Sequence, residues 1–411
     1  MVSRERGVFV AHRPVTPRAP GNVRGNNLDV VRQHNLSLVL GLVHTAGSVS
    51  RAELTRRTGL NRSTIAALVA ELVQLELVRE TEPDATNQVG RPSLVIVPGD
   101  RLVAISVYPE LDAVTIGLVA LGQRVVRKVR YDNVRVPSAR EVVNIVGAVV
   151  AGMRGELDER FRVAGIGVAV PGLVGVDDGV VSLAPHLEWH DEPLAEMLRE
   201  ATGYPVFTSN DATAGAIAES RFGAGRGVDD LIYLNGGASG IGGGVVSSGL
   251  LLGGASGFAG ELGHTLVNSA GILCHCGAVG CLETEVRRAP LLEALGLGAG
   301  ESAQLDARLR AAYAAGPAPE LAELVDRQLR YLGIALAQFT NMFNPRLIVL
   351  GGFLGSLFEV SGDRLATEVR SRAIIGSRDN VEITRTMLGP DLLMIGAAEL
   401  ALAGVLADPA G

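Results

Sequence analysis

Hydrophobic positions in the first hundred residues predict three helices followed by two short strands. A first amphipathic helix is predicted from Asn26 on the apolar positions Leu28, Val31, Leu36, Leu38, Val39, Leu42 and Val43. Ser50, with Glu53 three residues later, predicts a capping box at the start of a second helix that ends near Gly59. Asn61 predicts the start of a third helix, which extends to about residue 75. Two helices joined by a glycine-containing turn form a helix-turn-helix.

The third predicted helix begins with polar side chains, and this is the end that a recognition helix inserts into the major groove of DNA. After it, residues 77–80 and 93–97 predict two strands around a polar loop, which together form a wing. An arginine in that loop could enter a narrow minor groove. The candidate DNA contacts are Arg51, Asn61, Arg62, Ser63, Thr64 and Arg91. The alternative is a small helical domain that contacts another protein.

Beyond residue 98 the pattern changes to short β-rich runs separated by helical stretches, which indicates α/β layers. The predicted strands are residues 103–107, 114–119, 163–170, 205–208, 231–234 and 347–350. We therefore divide the chain into a disordered arm at residues 1–24, a winged helix-turn-helix at 25–98 and an α/β body at 99–411. The longest apolar run, around Val142 to Met153, is too short to span a bilayer.

Charge supports a division between head and body. The chain of 411 residues has a net charge of −7, but residues 1–98 carry 12 arginines against 8 carboxylates. A basic first quarter on an acidic body indicates that only the first quarter meets a polyanion, although a solvated basic surface would have the same composition. Three cysteines, an odd number, argue against a disulfide scaffold and for a reducing cytoplasm, and the N-terminal residues lack the apolar segment of a signal peptide.

All three cysteines lie in one short glycine-rich segment. Cys274, Cys276 and Cys281, together with His264, form a set of three thiolates and one imidazole. Tetrahedral Zn²⁺ prefers this set, and four protein ligands leave no open position for water. The sequence therefore predicts a structural zinc site, the alternative being three unrelated thiols.

The same segment carries a longer motif. Between residues 261 and 283 the chain reads Glu-x-Gly-His and then Cys-x-Cys-Gly-x-x-Gly-Cys-x-Glu, which resembles the signature of the ROK family (repressors, open reading frames and sugar kinases). The run from Ser50 to Val97 is similar to the winged head of ROK regulators. The resemblance implies a two-lobed, actin-like (ribonuclease-H-like) ROK domain after the winged head. It also implies that the zinc braces a sugar pocket and that Glu261, His264 and Glu283 contact the sugar.

An Asn-Asp pair follows a predicted strand at residues 210–211. In ROK kinases the aspartate of this motif is the general base, so the resemblance makes Asn210 and Asp211 further sugar contacts. Those kinases also open the body with Asp-x-Gly-Gly-Thr, which holds the phosphates of ATP. Here Tyr108, Glu110, Leu111 and Asp112 replace it, and a carboxylate would repel a phosphate. Asp211 is therefore expected to be a vestigial base with no catalytic role.

Three hypotheses follow. The first is a sugar-controlled transcription regulator, in its usual form a repressor, that binds a palindromic operator as a homodimer or homotetramer. The second is a ROK sugar kinase with a fused DNA-binding head, which would require ATP. The third is a body that responds to a partner protein instead of a free sugar.

Overall fold

The N-terminal head is a winged helix-turn-helix. The computed structural model describes residues 28–82, 94–175 and 178–411, so the predicted arm at residues 1–24 and Arg91 lie outside the described residues. The head contains α1 Leu28–Ala46, β1 Val49–Ser50, α2 Arg51–Thr58, α3 Arg62–Gln74, β2 Val78–Thr81 and β3 Val95–Pro98. The strands form a sheet in the order β1-β3-β2, with antiparallel pairing. The predicted helices and the two wing strands are confirmed.

The caps of α2 match the sequence prediction only in part. The Ser50 hydroxyl accepts a hydrogen bond from the Glu53 amide at 3.1 Å, and Gly59 ends the helix in the left-handed region with φ 73°. The Glu53 carboxylate, however, contacts Arg56 at 2.7 Å, one turn along the helix. The reciprocal half of the predicted capping box is replaced by an ion pair because Arg56 offers this carboxylate a charged donor three residues away.

The first lobe of the body is a five-stranded sheet in the order β11-β7-β4-β5-β6. The strands β11, β7 and β4 are parallel, whereas β5 and β6 continue as an antiparallel meander. Its elements are β4 Leu102–Pro109, β5 Ala113–Ala120, β6 Arg124–Asp132, α4 Ala139–Arg160, β7 Arg162–Val170, β8 Leu173–Val174, β9 Val181–Ala184, β10 Trp189–Glu192, α5 Leu194–Thr202, β11 Val206–Asn210 and α6 Asp211–Phe222. The helices α4 and α5 cover one face, where their apolar side chains join those of the sheet in one cluster.

The second lobe repeats this arrangement with the sheet β14-β13-β12-β15-β16. Its elements are β12 Leu231–Gly237, β13 Gly240–Ser247, β14 Leu250–Leu251, α7 Leu282–Glu285, α8 Arg288–Ala294, α9 Leu305–Ala315, α10 Pro319–Phe343, β15 Leu347–Gly351, α11 Gly352–Arg372 and β16 Glu382–Arg385. The long helices α10 and α11 pack on this sheet around the largest hydrophobic cluster. The chain then forms α12 Leu392–Ala407, which packs on the sheet of the first lobe. All six strands predicted for the body are present.

The helix α12 is a central core element. The stretch Gly389–Ala407 is long and apolar enough to span a membrane by length and composition, with a mean hydropathy of 1.6, although Asp391 and Glu399 lie within it. This helix packs against α6, β7, β4 and β11. A Cβ placed on Gly167 of β7 would lie 1.7 Å from the Ala397 carbonyl oxygen, so the backbones are in direct contact. Such burial on several faces explains its apolar composition.

The head and the body share one hydrophobic cluster. It joins apolar side chains of α1, α2, α3 and the wing to α12 and to strands of the first lobe. The members from α1 and α12 are Leu36, Val39, Leu40, Val43, Met394, Ala398, Ala401, Leu402 and Leu406. The head is therefore packed on the body through the last helix of the chain.

Candidate functional site

The start of α3 presents polar side chains to solvent. Asn61 caps the helix, since its Oδ1 accepts from the Thr64 amide at 2.8 Å and from the Ser63 hydroxyl at 2.7 Å. Arg62 and Ser63 are exposed, and Thr64 is half-buried. The opposite face of α3 is buried through Ile65, Leu68, Val69 and Leu72. The helix is thus anchored on its apolar face, and its N-terminal end is free to meet a groove of DNA.

Two other predicted DNA contacts differ in their surroundings. Arg51, the first residue of α2, forms an ion pair with Glu80 of β2 at 2.7 Å. This pair ties the helix-turn-helix to the wing, so contact of Arg51 with phosphate would require exchange of partner. Arg91 lies outside the described residues.

The four predicted metal ligands come together in the second lobe. Ligand atoms of His264, Cys274, Cys276 and Cys281 all lie within 4.8 Å of one another. The Cys274 Sγ is 3.6 Å from His264 Nδ1, and the Cys276 and Cys281 sulfurs are 3.7 Å apart. Ligands about 2.0–2.3 Å from a tetrahedral Zn²⁺ would lie roughly 3.4–3.8 Å from one another. These two separations fit that geometry, and the four residues present fit zinc in their chemistry.

The predicted double role of His264 is compatible with its two ring nitrogens. Its Nδ1 faces the sulfur of Cys274, and its Nε2 lies 4.0 Å from the Glu261 carboxylate. Glu283 lies on the Nδ1 side, with its Oε1 3.6 Å from that atom. Burial raises the pKa of Glu261, and the Glu283 carboxylate adds to this while His264 opposes it. The two carboxylates therefore lie on either side of His264, which is also one of the four predicted metal ligands.

Asn210 and Asp211 lie at the junction of β11 and α6. The Asn210 side chain is largely engaged, because its Oδ1 accepts from the Ala212 and Thr213 amides and its Nδ2 donates to the Gly172 carbonyl at 3.0 Å. Asp211 is 9% exposed. Burial raises the pKa of Asp211 to about 7; the Ala212 amide opposes this, and the Glu261 and Glu110 carboxylates reinforce it.

Glycines of β13 allow Asp211 and residues 261–283, the zinc segment that carries the predicted metal ligands, to pack against the same strand. A Cβ on Gly240 would lie 2.4 Å from the Glu283 carboxylate, and one on Gly242 would lie 2.7 Å from the Ala212 side chain and 3.8 Å from Asp211 Oδ1. The glycine-rich run at residues 236–244 therefore serves close packing. The run is not evidence for a phosphate site, because close packing of strands requires glycines equally.

The segment predicted to replace the phosphate loop of ROK kinases is a tight hairpin between β4 and β5. The Glu110 amide donates to the Ala113 carbonyl at 2.7 Å, which closes the turn. Burial raises the pKa of Glu110, Asp112 raises it further, and Arg130 and Arg288 lower it. Arg130 also contacts the Asp112 carboxylate at 3.1 Å. The turn thus presents carboxylates, whose charge is balanced by arginines of the chain itself.

Comparison with known proteins decides the family. The ROK family profile matches residues 112–403, and a MarR family profile matches residues 37–86. The chain belongs to the ROK family. A xylose repressor of Caldicellulosiruptor bescii is 28% identical over 399 residues, which cover 93% of this chain and 99% of the repressor.

Solved ROK structures match different shares of this chain. A ROK transcriptional regulator described as a homologue of the Escherichia coli Mlc protein has a TM-score of 0.73 and 26% identity, and the match covers 92% of this chain and 97% of that one. A ROK glucokinase of Streptomyces griseus, solved with glucose and AMPPNP, has a TM-score of 0.61 and 28% identity. That match covers 72% of this chain and 98% of the kinase.

The structure adds one residue, missed by the sequence analysis, to the group formed by Glu283 and His264. His275 separates two of the cysteines, and its Nδ1 lies 3.2 Å from the Glu283 carboxylate. Its ring contacts those of His264 and His186, with centroids 5.1 Å and 5.7 Å away. Its position between two of the predicted metal ligands, Cys274 and Cys276, was the available signal. The single tryptophan, Trp189, is 1% exposed and donates to the Pro137 carbonyl, so it packs in the core.

Proposed function

We propose that this chain is a sugar-responsive DNA-binding regulator of sugar-metabolism genes, acting as a repressor in the cytoplasm. The observation that carries the proposal is the combination, in one chain, of an exposed recognition-helix start with a kinase-like cleft whose first phosphate loop is a carboxylate-bearing hairpin. The full-length match to a xylose repressor supports the same combination of parts.

In the proposed site, the sugar hydroxyls donate to Asp211, Glu261 and Glu283 and contact His264 and Asn210. Carboxylates accept hydroxyl hydrogens in fixed geometry, which suits a neutral sugar. Zn²⁺ held by His264, Cys274, Cys276 and Cys281 would fix the segment that carries two of these carboxylates. We infer no phosphoryl transfer, because Glu110 occupies the turn where a phosphate would need donors.

We further propose that the chain acts as a homodimer with paired heads on a palindromic operator, contacted through Asn61, Arg62, Ser63 and Thr64. Apolar side chains on the zinc segment support a subunit contact there, since Leu273 is 69% exposed and Leu266 55%. A sugar that favours one lobe arrangement would change the separation of the heads. DNA affinity would then fall by the ratio of the two sugar affinities.

Fluorescence anisotropy on labelled duplexes from upstream of the chain's own gene tests the proposal. The titrants are D-xylose, D-glucose, N-acetyl-D-glucosamine and D-glucose 6-phosphate, with and without ATP. We expect one neutral sugar to weaken DNA binding at least about fivefold without ATP. Sugar-dependent ATP consumption would instead support the kinase alternative. Tight DNA binding that no sugar changes would favour control by a partner protein.

A further inference from the structure

Two buried polar contacts join the head to the last helix of the body. The Ser37 hydroxyl donates to the Leu406 carbonyl at 2.7 Å, and His44 Nε2 lies 3.0 Å from Glu399 Oε1. The second pair lies seven residues, about two turns, further along α1 and the same distance back along α12. The two helices are therefore antiparallel and held in register at two points, so that the head cannot slide on α12 without breaking both contacts.

The hydrogen bonds of His44 fix where its proton lies. The Gly122 amide, in the turn between β5 and β6, donates to His44 Nδ1 at 2.9 Å, so that nitrogen carries no proton. The proton is on Nε2 and is donated to the Glu399 carboxylate. His44 and Glu399 are each 2% exposed. This one side chain thus connects the head, the first lobe and α12.

Arg221 completes the group from the side of the cleft. Its guanidinium forms an ion pair with Glu399 and lies in the last turn of α6, whose first residue is Asp211. Burial opposes ionisation of Glu399, but His44 and Arg221 outweigh it and lower its pKa to about 2. A Cβ on Gly396 of α12 would lie 2.1 Å from the Ala214 carbonyl of α6, so the backbones of these two helices are in direct contact.

A buried charged group contributes little net stability compared with apolar packing, but separating it from a partner is costly because it leaves an uncompensated buried charge. We infer that Glu399, held between Arg221 and His44, is the positioning residue that couples occupancy of the cleft to the placement of the DNA-binding head. This inference rests on the proposed function. A ligand contacting Asp211 biases the position of α6; Arg221 carries the displacement to Glu399, and Glu399 carries it to α1.

The substitution His44→Leu tests the coupling, because it disconnects the head while Arg221 still neutralises Glu399. His34→Leu, at an exposed position of the same helix, is the matched control. Anisotropy on the labelled duplex is measured with and without each of the four sugars. We expect His44→Leu to reduce the sugar-induced change in DNA affinity to less than twofold while sugar affinity stays within threefold of wild type. The variant His44→Gln, whose amide can still donate to Glu399, should recover most of the response. A wild-type response in folded His44→Leu would overturn the inference.

Hydrogen–deuterium exchange on the protein–DNA complex gives a readout that needs no sugar. In the wild type and His34→Leu, bound duplex should slow amide exchange in α12 and at the start of α6 at least threefold, and in His44→Leu it should not. If no sugar affects wild-type DNA binding, the proposed function fails, and this arm still decides the coupling. Should His44→Leu not fold, Arg221→Lys replaces it, with a loss of at least half of the DNA-induced protection expected. Equal protection in that variant would contradict the inference.

Discussion

Asp211 combines a carboxyl group with a buried position beside other acidic groups. Its pKa of about 7 in the folded chain compares with an ordinary value of 3.8. Between these two values the folded state holds a proton that the unfolded state has released. The free energy of unfolding therefore falls as the pH rises through this window. Asp211 therefore lowers the free energy of unfolding at neutral pH. Such a cost is typical of binding sites, where a buried carboxylate is kept for its ligand and not for stability.

The substitution Asp211→Asn should remove this pH dependence. The amide keeps an oxygen for the Ala212 amide, which Asp211 Oδ1 contacts at 2.8 Å. Relative to wild type, the variant should gain roughly 2 kcal/mol in the free energy of unfolding between pH 5 and pH 8. Urea unfolding at both pH values measures the gain. Asp158→Asn, at an exposed position, serves as the control and should show no comparable change.

Among the four predicted metal ligands, we expect Cys276→Ser to abolish zinc binding, because a neutral hydroxyl is a poor replacement for a thiolate. Zinc content by elemental analysis should fall below about 0.2 per chain, and sugar affinity by calorimetry should fall at least about tenfold because the segment loses its fixed geometry. Cys276→His, which restores a nitrogen ligand, should retain more zinc. Unchanged sugar affinity in zinc-free Cys276→Ser would contradict a bracing role.

At the scale of single elements, α3 is the one whose role follows most directly from its surroundings. Its apolar face is buried against the other elements of the head. Arg62, at its exposed start, forms no ion pair with another described residue. A free arginine at this position is available for phosphate or base contact.

Arg62→Ala should weaken binding to the labelled duplex by about 1–3 kcal/mol and lower the salt slope of binding by about one if the contact is to phosphate. Calorimetric sugar affinity should stay at the wild-type value, since Arg62 is an exposed residue of the head and all the proposed sugar contacts belong to the body. Arg160→Ala, an exposed arginine at the end of α4, is the matched control. Equal DNA affinity in both variants would show that α3 is not the recognition helix.

Two glycine substitutions should change the free energy of unfolding in opposite directions, because only one of the two glycines lies in the contact between β7 and α12. Gly167→Ala places a Cβ 1.7 Å from a backbone oxygen of α12, so it should lower the free energy of unfolding by about 2 kcal/mol or more. Gly147→Ala, within α4, meets only ordinary contact at 3.9 Å and should raise stability by about 0.5–1 kcal/mol. Thermal unfolding of the two variants measures both effects. Equal destabilisation of the two variants would mean that the close approach of Gly167 to α12 does not determine the cost of the substitution.

The elements that could be predicted are those with a clear period or cap. The helices α2 and α3 have Ser50, Gly59 and Asn61 at their ends, and the strands of the body alternate regularly with helices. By contrast, α12 is apolar all round apart from Glu399, so its pattern has no preferred face from which packing could be deduced. Pairs such as Arg51 with Glu80 join residues far apart in sequence, and spacing alone does not indicate them.

At the scale of the whole molecule, the head and the first lobe are one packed unit. The cluster that contains α1 also contains Met394, Ala398 and Leu402 of α12, and His44 finds both of its partners in the body. The boundary at residue 98 therefore separates strands but does not separate hydrophobic cores. This could not be predicted from the sequence, because the head's own helices already have the pattern of an independent domain.

We expect a fragment of residues 1–98 to lack a stable fold, since α1 would expose the side chains that now contact α12. Circular dichroism should show markedly less helix than the head has in the full chain, and thermal unfolding should be broad. Adding His44→Leu to the fragment should make little further difference, because Glu399 is absent. A cooperative transition for the fragment would show that the head has a sufficient core of its own.

The antiparallel pairing of α1 with α12 has a consequence for synthesis. His44 and Glu399 are 355 residues apart in sequence, so a ribosome translates nearly the whole body before the head receives its final supporting helix. A nascent or prematurely terminated chain would carry the recognition residues without the packing that orients them. If the head does not fold without α12, DNA recognition would arise only after α12 has been synthesised, and shorter products would not compete for DNA sites.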